Sequence, residues 1–236
     1  MKRSTLPIIG SISLLLASYS PAVQAHYPHD PASFVAVSPG PSPEWVTTSI
    51  FRNEAWIAAR TNDDRNMEYF YVLEGTDTFV SGGAMLSATH LALTTEGSGL
   101  WQSPDAGESW SNTGDLASDA DLTDIEASPD ILNDGVALLV GQAGIWRTDD
   151  AGLTWYQVYS SESTRWVDVD MAPDFADSQS ACAVSDQGRV LCTMDGGVSW
   201  NEEVDLAQRA WSITIASEGG IFVGMDTEEK GPGGIQ

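Results

Sequence analysis

One eight-residue pattern occurs three times at a fixed interval, and no other feature limits the fold so tightly. The copies are Ser103-Pro-Asp105-Ala-Gly107-Glu-Ser109-Trp110, Thr148-Asp-Asp150-Ala-Gly152-Leu-Thr154-Trp155 and Thr193-Met-Asp195-Gly-Gly197-Val-Ser199-Trp200. Asp105, Asp150 and Asp195 stand 45 residues apart. A period of this length signals stacked supersecondary units. Within each copy, Asp suits a tight turn because its carboxylate accepts N–H bonds one or two residues on. Gly supplies a backbone angle that other residues resist, and Trp is expected to begin the following strand and bury its ring.

Short β-rich runs separate the copies. Around the second, Leu122–Ala127, Val136–Val140, Ile145–Thr148 and Trp155–Tyr159 read as strands. The third repeats them as Val167–Met171, Ala181–Val184, Arg189–Thr193 and Trp200–Val204. The first has a strand near Thr78–Ser81, then Leu91–Thr94, Leu100–Ser103 and a strand opened by Trp110. Upstream, Phe34–Val37, Trp45–Phe51, Glu54–Arg60 and Met67–Leu73 read as a degenerate repeat, with Arg65 and Glu68 where Gly and Trp belong. Downstream, Trp211–Ile215 and Ile221–Gly224 open a fifth, and Gly234-Ile235 lies two periods after Gly144-Ile145. Four short strands per period is the unit of a propeller blade.

The eight-residue pattern is the Asp box, and the chain resembles the BNR/Asp-box repeat β-propellers. That superfamily includes sialidases, xyloglucanases, sortilin-type receptors and photosystem II assembly factor-like proteins. The resemblance implies an all-β propeller of four-stranded blades, with blades near 33–74, 75–116, 120–160, 165–206 and 210–236, the last incomplete. It places the boxes at the blade periphery, away from any catalytic face. The box residues Ser103, Asp105, Gly107, Trp110, Thr148, Asp150, Gly152, Trp155, Thr193, Asp195, Gly197 and Trp200 are therefore expected to be structural. Asp-box propellers generally have six or more blades, so about four blades and part of a fifth imply an incomplete ring. By the same interval the next box would open near position 238, and the chain is expected to be a fragment of a longer propeller.

The N-terminus reads as a leader. Lys2-Arg3 precede an apolar stretch from Leu6 to Leu16, and Val23-Gln24-Ala25 has the small-residue pattern of a cleavage site. Cleavage after Ala25 gives a secreted or periplasmic protein starting at His26, with 26–32 as a tail. No later stretch is long and apolar enough to cross a membrane as a helix. Two of the ten basic residues lie in the leader, which leaves 34 acidic against 8 basic residues and a net charge of about −26. Such a surface repels nucleic acid and anionic lipid. It attracts cations, or keeps a protein soluble where salt screens the repulsion. Cys182 and Cys192 flank a turn at Ser185–Gly188 and fall opposite each other on paired strands, so export favours a disulfide between them.

Chemistry-bearing residues are sparse. His26 and His29 could ligate a metal, but no third ligand is fixed, and a mobile tail is the competing reading. His90 stands alone in a strand and reads as structural. A sialidase needs converging Arg side chains, and Arg52, Arg60, Arg65, Arg147, Arg165, Arg189 and Arg209 show no convergence in sequence. Phe51-Arg52-Asn53-Glu54 shares only two residues with the sialidase Phe/Tyr-Arg-Ile-Pro motif. A xyloglucanase uses two carboxylates, and among 34 acidic residues no pair stands out. Trp101 and Trp146 recur at the period and read as packing; Trp45, Trp56 and Tyr69-Phe70-Tyr71 do not recur and are slightly better surface candidates for stacking on sugars, with core or interblade packing the leading reading for them too. No cofactor motif is present. The expected function is an exported, non-catalytic scaffold that binds a protein or glycan. The alternative is a sialidase-like or xyloglucanase-like glycoside hydrolase with catalytic residues partly in blades outside this sequence.

Overall fold

A computed structural model describes residues 32–40, 46–52, 55–61, 68–71, 79–113, 116, 121–161, 163–226 and 234–235. They lie in one compact unit, Pro31–Gln236. Its strands form five antiparallel meanders, which we call blades. Blade one holds β1 (Ala32–Val37), β2 (Val46–Arg52), β3 (Ala55–Thr61) and β4 (Glu68–Tyr71). Blade two holds β5 (Phe79–Met85), β6 (Leu91–Glu96), β7 (Gly99–Ser103) and β8 (Ser111–Asn112). Blade three holds β9 (Leu122–Ala127), β10 (Ala137–Gly141), β11 (Gly144–Thr148) and β12 (Tyr156–Ser160). Blade four holds β13 (Trp166–Met171), β14 (Ala181–Ser185), β15 (Arg189–Thr193) and β16 (Asn201–Asp205). Blade five holds β17 (Ala210–Ile215), β18 (Ile221–Met225) and β19 (Gly234–Ile235). In each blade, strands pair in chain order.

The first strands of successive blades lie side by side: β1 by β5, β5 by β9, β9 by β13, β13 by β17. These are the inner strands. The apolar core sits between blades rather than within them. Leu138, Val140 and Ile145 of blade three pack on Trp166, Val169 and Phe175 of blade four. Ala84, Leu86 and Leu100 of blade two pack on Leu122, Ile125 and Leu139 of blade three. Each fully buried Leu or Phe contributes about 1.5–3 kcal/mol, against about 1 kcal/mol for a typical net hydrogen bond. Stacking of blade on blade therefore dominates the stability, and a lone blade has no core.

Three local readings are corrected. Trp110, Trp155 and Trp200 stand one residue ahead of the fourth strands, at the end of the box turn, not inside the strands. The inner strand of blade two runs through Gly82-Gly83 to Met85, well past Ser81. A Cβ on Gly82 would sit 2.8 Å from Asp124 Oδ1, and one on Gly83 2.5 Å from the Phe34 ring, so here glycine serves close approach rather than a turn. Two single helical turns, α1 (Ile131–Asp134) and α2 (Phe175–Ser178), bridge the first and second strands of blades three and four. Pro129 and Pro173 lead into them, Ile131 and Phe175 are buried, and left-handed Gly135 and Gln179 close them. Trp45 and Glu54 lie outside the described residues, as do His26, His29 and the leader; the side chains of Trp56 and Tyr69-Phe70-Tyr71 are also outside the description.

Candidate functional site

The boxes occupy the hairpins β7–β8, β11–β12 and β15–β16, and each Asp bonds only within its own hairpin. The reach is longer than one or two residues. Asp150 Oδ1 accepts the Thr154 N–H at 2.9 Å and its Oδ2 the Thr154 hydroxyl at 2.7 Å, both four residues on. Asp105 with Ser109 and Asp195 with Ser199 repeat this. The opening hydroxyl closes the turn from the other side: Thr148 donates to Asp150 at 2.7 Å and accepts the Gly152 N–H at 3.0 Å. Hydrogen bonds from the Ser109 hydroxyl and N–H hold Asp105 down at about 2. Asp195 is likewise held at about 2, first by the Ser199 hydroxyl. Burial works to raise Asp150, but its bonds from Thr154 and Thr148 prevail and its pKa is lowered. A carboxylate so engaged is a poor proton carrier at neutral pH.

The concentrated charge lies on the inner strands. On β9, Asp124 and Glu126 alternate with buried Ile125; on β13, Asp168 and Asp170 alternate with buried Val169. The register makes Asp124 the counterpart of Asp168, and Glu126 that of Asp170, because Ala127 pairs with Ala137 as Met171 pairs with Ala181. On β17 the same positions hold Ser212 and Thr214. The carboxylates reach sideways to the next inner strand. Asp124 accepts the Val169 N–H at 3.2 Å, Asp168 the Ile213 N–H at 2.6 Å, and Asp170 the Ile215 N–H at 2.6 Å and the Thr214 hydroxyl at 2.9 Å. These bonds join blades where no backbone ladder does.

Asp124 and Asp168 are also hydrogen-bonded to each other. Burial, then the Asp124 charge, pushes Asp168 up to about 9, so the pair holds a proton at neutral pH. Burial also raises Asp124. Glu126 meets no hydrogen-bond donor among the described residues; burial, and then repulsion from Asp124, Asp170 and Asp168, raises it well above the carboxylate range. It lines a cavity of about 260 Å³ with Val35, Val37, Met85 and Ile131. No signal of charge total pointed here. The one in reach was the alternation Thr123-Asp-Ile-Glu126 and Val167-Asp-Val-Asp170, 44 residues apart.

Other candidates fall apart in space or become structural. The Arg side chains that are described engage different partners: Arg147 with Asp149 and Tyr156, Arg165 with Glu96, Arg189 with Glu202, and Arg209 over the Trp211 ring at 4.0 Å. They do not form a carboxylate clamp. His90 bonds Gln102 at 2.7 Å, and burial lowers its pKa against the hydrogen bonds it makes to Gln102 and the Ala151 backbone. Trp101 and Trp146 pack, half-buried, against the interblade core. Cys182 and Cys192 are directly opposed and joined by a disulfide. Among the described residues no group of His, Cys, Asp or Glu is placed to hold a metal ion, and no helix is long and apolar enough to cross a membrane.

No family model and no curated protein matches the chain in sequence. Solved structures do match in shape. YCF48 bound to D1 peptide superposes with a TM-score of 0.59 at 16% identity, over 84% of this chain and 63% of that one. The fold is that of a β-propeller. The GH74 xyloglucanase from Xanthomonas campestris matches this propeller with a TM-score of 0.62 at 10% identity, over 86% of this chain and 36% of that one. The GH74 enzyme of Niastella koreensis gives 0.65 at 13%, over 82% and 33%. The propeller described here thus spans less than two thirds of the YCF48 chain and about a third of each GH74 chain. The likenesses show a shared β-propeller fold.

Proposed function

We propose that the chain is part of an exported, non-catalytic Asp-box propeller that binds a protein or glycan partner. The observation that carries this is that Asp124, Asp168 and Asp170 each accept a backbone N–H from the neighbouring inner strand. A glycosidase holds its two carboxyl groups about 5–9.5 Å apart so that a sugar or a water fits between them. These carboxylates are instead engaged in holding one blade to the next, Asp124 on β13 and Asp168 and Asp170 on β17. The boxes are engaged within their own turns. The likeness to YCF48 bound to D1 peptide supports a peptide as the partner class. The leader supports export.

A glycoside hydrolase is the second reading, supported by the likeness to the GH74 chains. One experiment separates the two. The protein starting at His26 is incubated with xyloglucan, mixed-linkage β-glucan and sialosides, and in parallel titrated against a peptide and glycan array. Binding of basic peptides or of glycans without bond cleavage supports the scaffold. Hydrolysis that is lost in Asp124→Asn or Glu126→Gln overturns it in favour of the enzyme. N-terminal sequencing of the exported protein tests the cleavage after Ala25.

A further inference from the structure

The cavity of about 260 Å³ beside Glu126 opens where the inner strands β1, β5 and β9 end. Its wall is drawn from blades one to three alone, with Val35 and Val37 from β1, Ala84 and Met85 from β5, Glu126 from β9 and Ile131 from α1. The register shows what makes the room. Met85 pairs with the first residue of the second strand in its blade, and Ala127, Met171 and Ile215 do the same in theirs. Blade three therefore carries a lone methyl where blades two, four and five carry Met, Met and Ile. The cavity lies beside that methyl. Val35 and Val37 are exposed at its mouth, and Ile131 is buried at its back.

Two side chains of this wall carry polar groups, Ser128 and Glu126. Ser128 is engaged: its hydroxyl donates to Asp134 Oδ2 at 2.5 Å and accepts the Asp130 N–H at 3.1 Å. Glu126 meets no hydrogen-bond donor among the described residues, and it is half-buried, so a solute in the cavity can reach its carboxyl. The charged groups that face it are Asp124 on its own strand and Asp168 and Asp170 on β13; the wall residues from β1 and β5 carry no charge. Burial, then repulsion from those three carboxylates, keeps a proton on Glu126. A protonated carboxyl presents an O–H donor and a C=O acceptor side by side. A primary amide presents the complementary pair, so the two close a ring of two hydrogen bonds. An ammonium must first displace the proton, and Asp124, Asp168 and Asp170 already accept N–H groups of β13 and β17. The wall holds no aromatic ring on which a sugar could stack.

We propose that this cavity takes the side chain of a glutamine from a peptide partner, with its two methylenes against Val35, Met85 and Ile131 and its amide on the Glu126 carboxyl. The inference rests on the peptide-binding reading and gives that partner its chemistry. Methionine, of similar length, fills the same space but leaves the carboxyl unpaired, and an unpaired buried polar group is what selects against it.

The test uses the protein starting at His26 with labelled methyl groups, titrated at neutral pH with the N-acetyl, N-methylamide derivatives of glutamine, methionine and lysine. Saturable NMR shifts at Val35, Val37, Met85 and Ile131 report the cavity. The glutamine probe should bind about tenfold more tightly than the methionine probe, the worth of two hydrogen bonds, and more tightly than the lysine probe. Glu126→Gln keeps a donor and an acceptor and should bind the glutamine probe within about twofold of the parent, whereas Glu126→Leu should lose about tenfold. No shift at these methyls, equal binding of methionine, or tighter binding of lysine overturns the proposal. So does a loss in Glu126→Gln, or none in Glu126→Leu, with the methyl spectrum of the variant still that of a folded chain. A peptide that binds elsewhere on the propeller and leaves these methyls unmoved overturns the glutamine site while the scaffold reading stands. Glutamine binding here alongside hydrolysis of a glycan supports the site and overturns the scaffold.

Discussion

Arg147 of blade three donates through Nε to the carbonyl of Gly196, at the tip of blade four's box, over 2.8 Å. The guanidinium also bonds Asp149 and the Tyr156 hydroxyl. One side chain thus ties a hairpin in its own blade to the hairpin of the next. Hydrogen bonds from charged groups contribute about 1.5–3 kcal/mol each, and a buried carbonyl left without a donor costs about as much. Arg147→Met, which keeps the apolar stem, should therefore lower the unfolding free energy by about 2–3 kcal/mol in a urea titration. An unchanged midpoint would show that the contact is idle.

Gly152, at the tip of its box, is under two constraints, and comparison with Gly219, in the turn between β17 and β18, separates them. Gly152 has φ +86 and Gly219 φ +79, so an alanine at either place meets left-handed strain of about 1–2 kcal/mol. At Gly152 the new Cβ also presses on Leu86, which is fully buried and has nowhere to retreat, adding about 1–3 kcal/mol of overpacking. Gly152→Ala should thus cost clearly more than Gly219→Ala by thermal or chemical unfolding. Equal costs would mean that blade two yields to the intruding methyl.

The box hairpins were legible in the sequence because their cause is local: a Ser or Thr, an Asp, a Gly and a second Ser or Thr satisfy one another within eight residues. The opposition of Cys182 and Cys192 was legible for the same reason, since a short turn sets the register of the strands around it. The inner-strand carboxylates were not. Asp124 and Asp168 meet across two blades, and in one dimension their spacing is hidden among many other acidic residues. Nor could Gly152 reveal its second role, which depends on Leu86, 66 positions earlier in the chain. α1 and α2 were missed because a single turn carries no helical periodicity, although Pro129 and Pro173 mark where each begins.

Removal of one box carboxylate should weaken its hairpin without selective loss of binding. Asp150 accepts from the Thr148 hydroxyl and from the N–H and hydroxyl of Thr154. Asp150→Ala leaves those donors to water or to nothing, at a cost of about 1–3 kcal/mol. The loss should be read as a lower urea midpoint, with faster amide exchange at Thr154. A variant that kept its stability but lost a ligand would place Asp150 in a binding site instead.

The acid–base behaviour has two limbs of opposite sign. Asp105 and Asp195 are held at about 2, below their ordinary 3.8, so their contribution is present above about pH 4 and is lost as pH falls through about 2. Asp168 is pushed up to about 9, so the folded chain retains a proton that the unfolded chain gives up near 3.8. Its contribution is full below about pH 4 and is lost as pH rises through about 9. Asp124 and Glu126, also raised, act in the same direction. The protein should therefore be most stable on the acid side of neutrality, near about pH 4–5, and its melting temperature should fall steadily toward pH 9. Asp168→Asn keeps a donor for Asp124 and an acceptor for the Ile213 N–H but cannot ionise. Its melting temperature should change less between pH 5 and about 9 than the parent's, and should equal or exceed it at the alkaline end. A parallel pair of curves, or a parent most stable at alkaline pH, would mean that Asp124 and Asp168 do not share a proton in the folded protein.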